Sequence, residues 1–182
     1  GTLAEGPIAL CEVQAYAYAA LRGAATLAQA LGRSERASQL LERADDLQQR
    51  FDDAFWCDYL GTYALALDGH KHACRVRSSN AGHCLYTGIA LPHRAHTLGE
   101  HLLGPEMFSG WGIRTLATSE RRYNPMSYHN GSIWPHDNAI IAAGLSRYGL
   151  KHHAQRVASA LFNASVRVDL HRLPEMFCGF PR

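Results

Sequence analysis

The sequence predicts an all-α domain of alternating inner and outer helical hairpins, the pattern of a helical toroid or solenoid, with a small β excursion near residues 61–77. Three observations carry this prediction. Apolar residues recur with helical spacing over three successive pairs of segments. In each pair the first segment is apolar nearly all round and the second is amphipathic, so one is buried and its partner faces solvent. The connections between pairs are long and crowded with aromatic and polar residues, unlike the short turns of an up-and-down bundle.

Taken in order, the first inner helix runs over 7–31, "PIALCEVQAYAYAALRGAATLAQAL", Ala-rich and almost uncharged. Pro7 suits its first position and Gly32 its stop. The outer helix that follows opens at Ser34, a residue able to cap it. Ala37, Leu40, Leu41, Ala44, Leu47, Phe51 and Phe55 line one face, and charged residues cover the other. The stretch "GTYALALDG" (61–69) reads as a short strand excursion with its turn at Asp68-Gly69. Residues 80–91 form a second inner helix, and Pro92 restarts an outer one to Leu103. The connection over 104–131 carries Trp111, Tyr123 and Tyr128, which argue against disorder and for function. Residues 132–148 are again inner in character, and 151–168 are amphipathic.

Bulk properties narrow the function. At 182 residues, 47% hydrophobic and 19% charged, the chain has the material for a single domain with one substantial core. A net charge of +2 with no Lys/Arg run gives no footing for nucleic acid or an acidic membrane surface. Five cysteines, odd in number and without C-x-x-C spacing, argue against a disulfide framework or a zinc ribbon and for a cytoplasmic setting. No apolar run is long enough to span a membrane. The first residue is Gly rather than Met, and the chain reads as a piece of something longer.

In a toroid of alternating helices, groups placed just before each inner helix converge on one end of the ring. Glu5, Glu12 and Gln14 stand at the first; Ser78, Ser79 and Asn80 at the second; "SYHNGSIWPHDNA" (127–139) at the third. Helix N-termini add unpaired N–H groups and partial positive charge. Trp and Tyr rings among Glu, Asp, Asn and His suit a carbohydrate, whose C–H faces stack on rings while its hydroxyls need paired donors and acceptors. Two carboxylates at such a place are the minimum for glycoside hydrolysis.

Five ordered motifs sharpen this: "EGPIALCEVQAY" (5–16), "SNAGH" (79–83), "FSGWGIRTLA" (108–117), "YNPMSYHNGSIWPHDNA" (123–139) and "LPEMFCGF" (173–180). Together they resemble the C-terminal region of the bacterial amylo-alpha-1,6-glucosidase, or glycogen-debranching-enzyme-like, family, which is similar to glucoamylases, trehalases and processing α-glucosidases. The resemblance implies an (α/α)6 toroid of which residues 1–182, a single domain, are about the C-terminal half, the N-terminal half being absent. It implies an inverting hydrolase of α-glucosidic bonds acting on an α-glucan or α-glucoside, with no cofactor and no metal. Glu175 matches the general base, and the general acid is an Asp upstream of residue 1, so the fragment alone is expected to be inactive. A non-catalytic carbohydrate-binding or structural toroid, and a sugar phosphorylase or epimerase on a similar ring, are the alternatives.

The remaining candidates carry weaker assignments. Trp111, between two glycines, is expected to wall the pocket. Trp134 serves either core packing or pocket lining, and Tyr128, His129 and Asn130 divide between substrate hydroxyls and the loop's own backbone. Glu12, one turn inside an uncharged helix, makes either an ion pair, with Arg114 as its cation, or a sugar contact, and Gln14 is a lesser candidate. Asp137 is a supporting orienter in a first helical turn. His70, His72 and Cys74 alternate as strand ligands could, but lack a recognisable fourth ligand, so no metal site is assigned.

Overall fold

Six α-helices, described in a computed structural model covering residues 4–182, form three hairpins: α1 (Cys11–Ala30) with α2 (Ser34–Phe55), α3 (Asn80–Thr87) with α4 (Pro92–Leu102), and α5 (Pro135–Arg147) with α6 (Lys151–Ser165). α3 packs against both α1 and α5, and each outer helix packs on the inner helix before it. This arc of three inner helices backed by three outer ones is about half of an (α/α)6 toroid. Its main core lies between the layers, where Cys84, Leu85, Ile89, Leu98, Ile141 and Leu145 are fully buried.

Small residues let the inner helices approach. Gly82 of α3 sits on the Ile141 side chain, and Gly144 of α5 lies against the α3 backbone, where a Cβ would come 2.5 Å from the Tyr86 amide nitrogen. Gly88, with φ of +85°, ends α3 in the left-handed conformation that favours glycine.

The excursion is built from two-residue strands. β1 (Ala9–Leu10) pairs antiparallel with β4 (Ala66–Leu67), which pairs with β5 (Ala73–Cys74). β2 (Trp56–Cys57) pairs with β3 (Thr62–Tyr63). Asp68 makes the turn, its Oδ1 accepting from the amides of His70 (2.9 Å) and His72 (2.8 Å). Buried Asp52 anchors the excursion to α2, accepting from the Tyr63 hydroxyl at 3.0 Å and facing Arg94 at 3.5 Å.

Several details differ from the sequence expectation, among them the second inner helix, which stops at Thr87 rather than running to Leu91 because Gly88 turns left-handed. α1 begins at Cys11 rather than Pro7, because Ala9 and Leu10 are drawn into pairing with β4. Arg33 takes the N-cap position of α2, and Ser34, its first residue, makes no side-chain cap. One flank of α1 is open: Val13 is 53% exposed and Leu27 67%. Among the described helices α1 packs chiefly on α2 and α3.

Gly144→Ala sets two effects against each other. Ala favours the helix by about 1 kcal/mol, whereas overpacking costs about 1–3 kcal/mol and here the obstructing atom is backbone, which cannot rotate away. Net destabilisation in urea unfolding is expected, and a neutral or stabilised variant would contradict the close α3–α5 crossing.

Candidate active site

Loops on one end of the arc hang from one another by isolated antiparallel bridges: Ser78 with Leu116, Arg114 with Ile133, and Ile133 with Phe177. This explains why α5 starts at Pro135 and not at Ser132. The Ile133 amide donates to the Phe177 carbonyl (2.8 Å) and its carbonyl accepts in return (3.0 Å), so its backbone groups are used across the bridge. Asn138, fully buried in the first turns of α5, fastens the bridges to the helix. Its Oδ1 accepts from the Ile113 amide at 2.6 Å, while its Nδ2 donates to the carbonyls of Ile113 (2.9 Å) and Trp134 (3.0 Å).

Arg114 is 3% exposed. Its Nε donates to the Gly179 carbonyl at 2.7 Å and its Nη1 reaches the carbonyls of Pro105 and Glu106, each at 3.3 Å. The Tyr123 hydroxyl donates to the same Gly179 oxygen at 3.1 Å. Arg114 therefore secures the segment that carries Glu175. The ion pair with Glu12 is not formed: Glu12 accepts instead from Asn80 Nδ2 at 2.9 Å.

The N-termini of the inner helices open onto a cleft of about 420 Å³. α1 contributes Glu12; α3 contributes Asn80 and His83, with Ser79 just ahead; α5 contributes His136 and Asp137, with Trp134 just ahead. Thr115 and His129 complete the lining. The Trp134 indole N–H is held by the Tyr128 carbonyl (3.1 Å) and the Ser132 hydroxyl (3.0 Å). Tyr128 stands edge-on to His129 at 4.6 Å and to Trp134 at 4.8 Å between centroids. The His129 and Trp134 rings are parallel, 6.0 Å apart.

A polar chain runs from the lining into the inner helices. His83 Nε2 and Asp137 Oδ1 are 2.8 Å apart, and the Tyr16 hydroxyl lies 2.9 Å from His83 Nδ1. Burial is the largest influence on the His83 imidazole and pulls its pKa down. The hydrogen bond and charge of Asp137, with Glu12, outweigh it and leave the pKa above its usual 6.5. Burial, with the neighbouring Tyr86, Glu12 and Asp137, raises the Tyr16 phenol. Asp137 is 7% exposed, and its Oδ2 has no hydrogen-bond partner.

The structure thus gathers Glu12, His129, Trp134 and Asp137 at one cleft. Tyr128 stands half-exposed on its rim. Glu175 is exposed, and hydrogen bonding between its carboxylate and the Tyr128 hydroxyl raises that phenol's pKa. Asn130 holds the loop through its backbone, its carbonyl accepting from Asn124 and its amide donating to Ser127 Oγ. Trp111 does not wall the cleft: the guanidinium of Arg167 at 5.0 Å and that of Arg182 at 4.8 Å stack on its ring. Gln14 is half-buried on α1 and outside the lining. His83, His136, Asn138, Tyr16 and Thr115 went unassigned in the sequence. The rule that marks Glu12 and Asp137, a polar side chain in the first turn of an inner helix, would have found His83 and His136.

Among the described residues no three His, Cys, Asp or Glu side chains are grouped to hold a metal ion, and no helix is long and apolar enough to cross a membrane. His70 faces Glu5 and His72 faces Asp68, each at 3.3 Å.

Helical hairpins arranged as a toroid segment, with carboxylates, imidazoles and an indole gathered where the inner helices begin, have the form of a glycoside hydrolase domain. The chain belongs to the family described as the mannosylglycerate hydrolase MGH1-like glycoside hydrolase domain, which matches residues 4–177. Its fold is similar to that of the GH63 mannosylglycerate hydrolase from Thermus thermophilus solved with glucose, at TM-score 0.77 and 18% identity, covering 96% of this chain and 44% of that one. It is also similar to the neutral trehalase Nth1 from Saccharomyces cerevisiae, at TM-score 0.78 and 16% identity, covering 94% and 34%. The chain therefore spans less than half the length of these solved relatives. Sequence comparison with curated proteins gives no match.

Two measurements test this geometry. Asn138→Ala leaves the Ile113 amide and carbonyl buried without partners and is expected to cost about 2–4 kcal/mol in denaturant unfolding; a loss below about 0.5 kcal/mol, the range of ordinary surface changes, would contradict the clamp. The His83 pKa followed by NMR should lie above 6.5 and fall in Asp137→Asn. Because the folded value is raised, the pair's contribution to stability is complete below pH 6.5 and is lost as pH climbs through the folded pKa. A His83 pKa at or below its usual value would rule the pairing out.

Proposed function

We propose that this chain is the base-bearing part of the catalytic toroid of an inverting glycoside hydrolase acting on α-glucosidic bonds, in the manner of a debranching α-1,6-glucosidase. The observation that carries the reading is the place of Glu175. This exposed carboxylate neighbours Tyr128, whose ring packs on the Trp134 and His129 wall of the cleft. Glu175 activates a water that attacks the anomeric carbon from the face opposite the leaving oxygen, while an acid protonates that oxygen. The two carboxyl groups of such an enzyme stand about 6.5–9.5 Å apart to admit the water.

Glu12 and Asp137 are both engaged, by Asn80 and His83, which suits them to holding hydroxyls rather than to giving up a proton. In this reading the acid is an Asp from the part of the toroid that this chain does not span. The open apolar flank of α1 is suited to meeting further hairpins of that part. The five free thiols fit a cytoplasmic setting.

In an enzyme containing the whole toroid, Glu175→Gln is expected to lower kcat by about 100- to 10,000-fold with sugar affinity and melting temperature retained. The first product anomer released from an α-glucoside, read by NMR, should be β. Activity within about tenfold of the unsubstituted enzyme would remove Glu175 from the base role.

A further inference from the structure

The segment that carries Glu175 is fastened unevenly. Beyond Glu175, Phe177 pairs with Ile133, the Gly179 amide donates to the Pro125 carbonyl at 2.8 Å, and the Gly179 carbonyl accepts from Arg114 and Tyr123. Before it, residues 169–174 are exposed throughout. The backbone hydrogen bonds described for that stretch are local, from the His171 amide to the Val168 carbonyl and from the Arg172 amide to the Asp169 carbonyl. Leu170 and His171 sit in succession at φ of +57° and +55°, a conformation uncommon for residues other than glycine. Where Glu175 stands therefore depends on how the segment is held at its ends.

Those ends meet at one side chain. Arg167 precedes the segment and Arg182 follows it, and their guanidinium groups lie over the Trp111 ring, 5.0 and 4.8 Å from its centroid. Each arginine is tethered besides: Arg167 Nη1 donates to the Asn163 carbonyl of α6 at 2.8 Å, and the Arg182 amide donates to the Ser109 carbonyl at 2.9 Å. The indole is itself set by a tight turn, in which Ser109 Oγ accepts from the Trp111 amide and donates to the Gly112 carbonyl, each at 3.0 Å. Gly110, at φ of +94°, leaves room for Arg182, whose Cβ a side chain there would meet at 2.8 Å. Among side chains, indole is the best ring for receiving a cation.

We propose that Trp111 is a positioning residue for Glu175: its indole receives both arginines that bracket residues 168–181 and closes that stretch into a loop of fixed span. The proposal rests on the reading of Glu175 as the general base. Trp111 belongs to a stretch of backbone that is fixed further on, where Asn138 clamps Ile113 and Arg114 holds Gly179. Both ends of the loop and its tied half thus hang from one stretch, 109–114. Loss of the ring frees the end at Arg167 while Phe177 and Gly179 keep their bonds, so the carboxylate shifts without unfolding its surroundings. A shift of about 1 Å in a reacting group costs on the order of 100-fold in rate.

The test uses an enzyme containing the whole toroid and the variants Trp111→Leu, Trp111→Phe and Arg167→Met. The first readout is limited trypsin cleavage after the exposed Arg172, followed by mass spectrometry, which tracks opening of the segment and not turnover. Trp111→Leu removes both stacks and is expected to speed this cut by about five- to thirtyfold. Arg167→Met removes one and should speed it by about two- to fivefold, while Trp111→Phe, which keeps a ring, stays within about twofold. The second readout is kinetic: Trp111→Leu should lower kcat by about 10- to 100-fold with KM within about threefold, and Trp111→Phe should recover most of the loss. Arg167 is exposed, so Arg167→Met decides the matter if Trp111→Leu fails to fold. An unchanged cut in Arg167→Met, an equal loss in Trp111→Phe and Trp111→Leu, or a rise in KM at constant kcat would each overturn the proposal. Failure of the base reading shows separately, as hydrolysis that survives Glu175→Gln, and the cleavage rates then decide the clamp on their own.

Discussion

One buried carboxamide sets the geometry of the active end. Asn138 offers an acceptor and a donor to the two sides of the Ile113 peptide, as a neighbouring β-strand would, and spends its second amide hydrogen on the Trp134 carbonyl. A hydrogen bond of this kind adds only about 1 kcal/mol when made, but a buried orphan costs about 1–3 kcal/mol. In a site with no exposure, the second figure governs. Register follows from the clamp. Ile113 fixes the strand holding Arg114 and Thr115, Arg114 bridges to Ile133, and Ile133 bridges to Phe177, two residues beyond Glu175. Three parts of the chain far apart in sequence thus share one reference point.

The polar cleft arises from the other regular feature of the fold, the inner helices opening their N-termini onto one place. Close crossing at Gly82 and Gly144 keeps those ends together. Glu12 is the second residue of α1, His83 the fourth of α3 and Asp137 the third of α5. Acidic side chains in a first turn are favoured by the free amides there by about 0.3–1 kcal/mol each. The positions that gather a polar cleft are therefore also positions where helices accept negative charge, and helix formation and site formation do not compete.

Periodicity made the hairpins legible, and the architecture follows from it. What periodicity cannot hold is a partner distant in the chain. Pro7 marks a plausible helix start, but Ala9 and Leu10 are claimed by a strand more than fifty residues on, at 66–67. A helix apolar all round reads as buried, yet α1 ends the arc and keeps one flank open. "GWG" signals close approach around Trp111, and close approach occurs, but to the guanidinium groups of Arg167 and Arg182. Arg114 reads as a cation seeking a carboxylate, whereas its acceptors are carbonyls exposed by irregular backbone. The clamp made by Asn138 carries no local signal, because the Ile113 backbone it holds lies 25 residues away.

Two carboxylates line the cleft and a third, Glu175, neighbours Tyr128 beside it, and environment rather than residue type divides the work proposed for them. Glu12 is tied to an amide through Oε2 and Asp137 to an imidazole through Oδ1, each at hydrogen-bond distance, so each carboxylate is held in one orientation. Their fixed oxygens are suited to receive hydroxyl hydrogens in fixed directions. Glu175 differs in both respects: it is exposed, and the neighbour identified for it is a phenol at the cleft rim that packs on the aromatic wall. A base must take a proton from water and then release it to solvent, which requires an accessible carboxylate at the mouth of the site rather than one committed in its wall. Of the three, Glu175 alone is exposed, which suits it to the base role proposed for it, and Arg114 and the Phe177 bridge secure the segment that carries it.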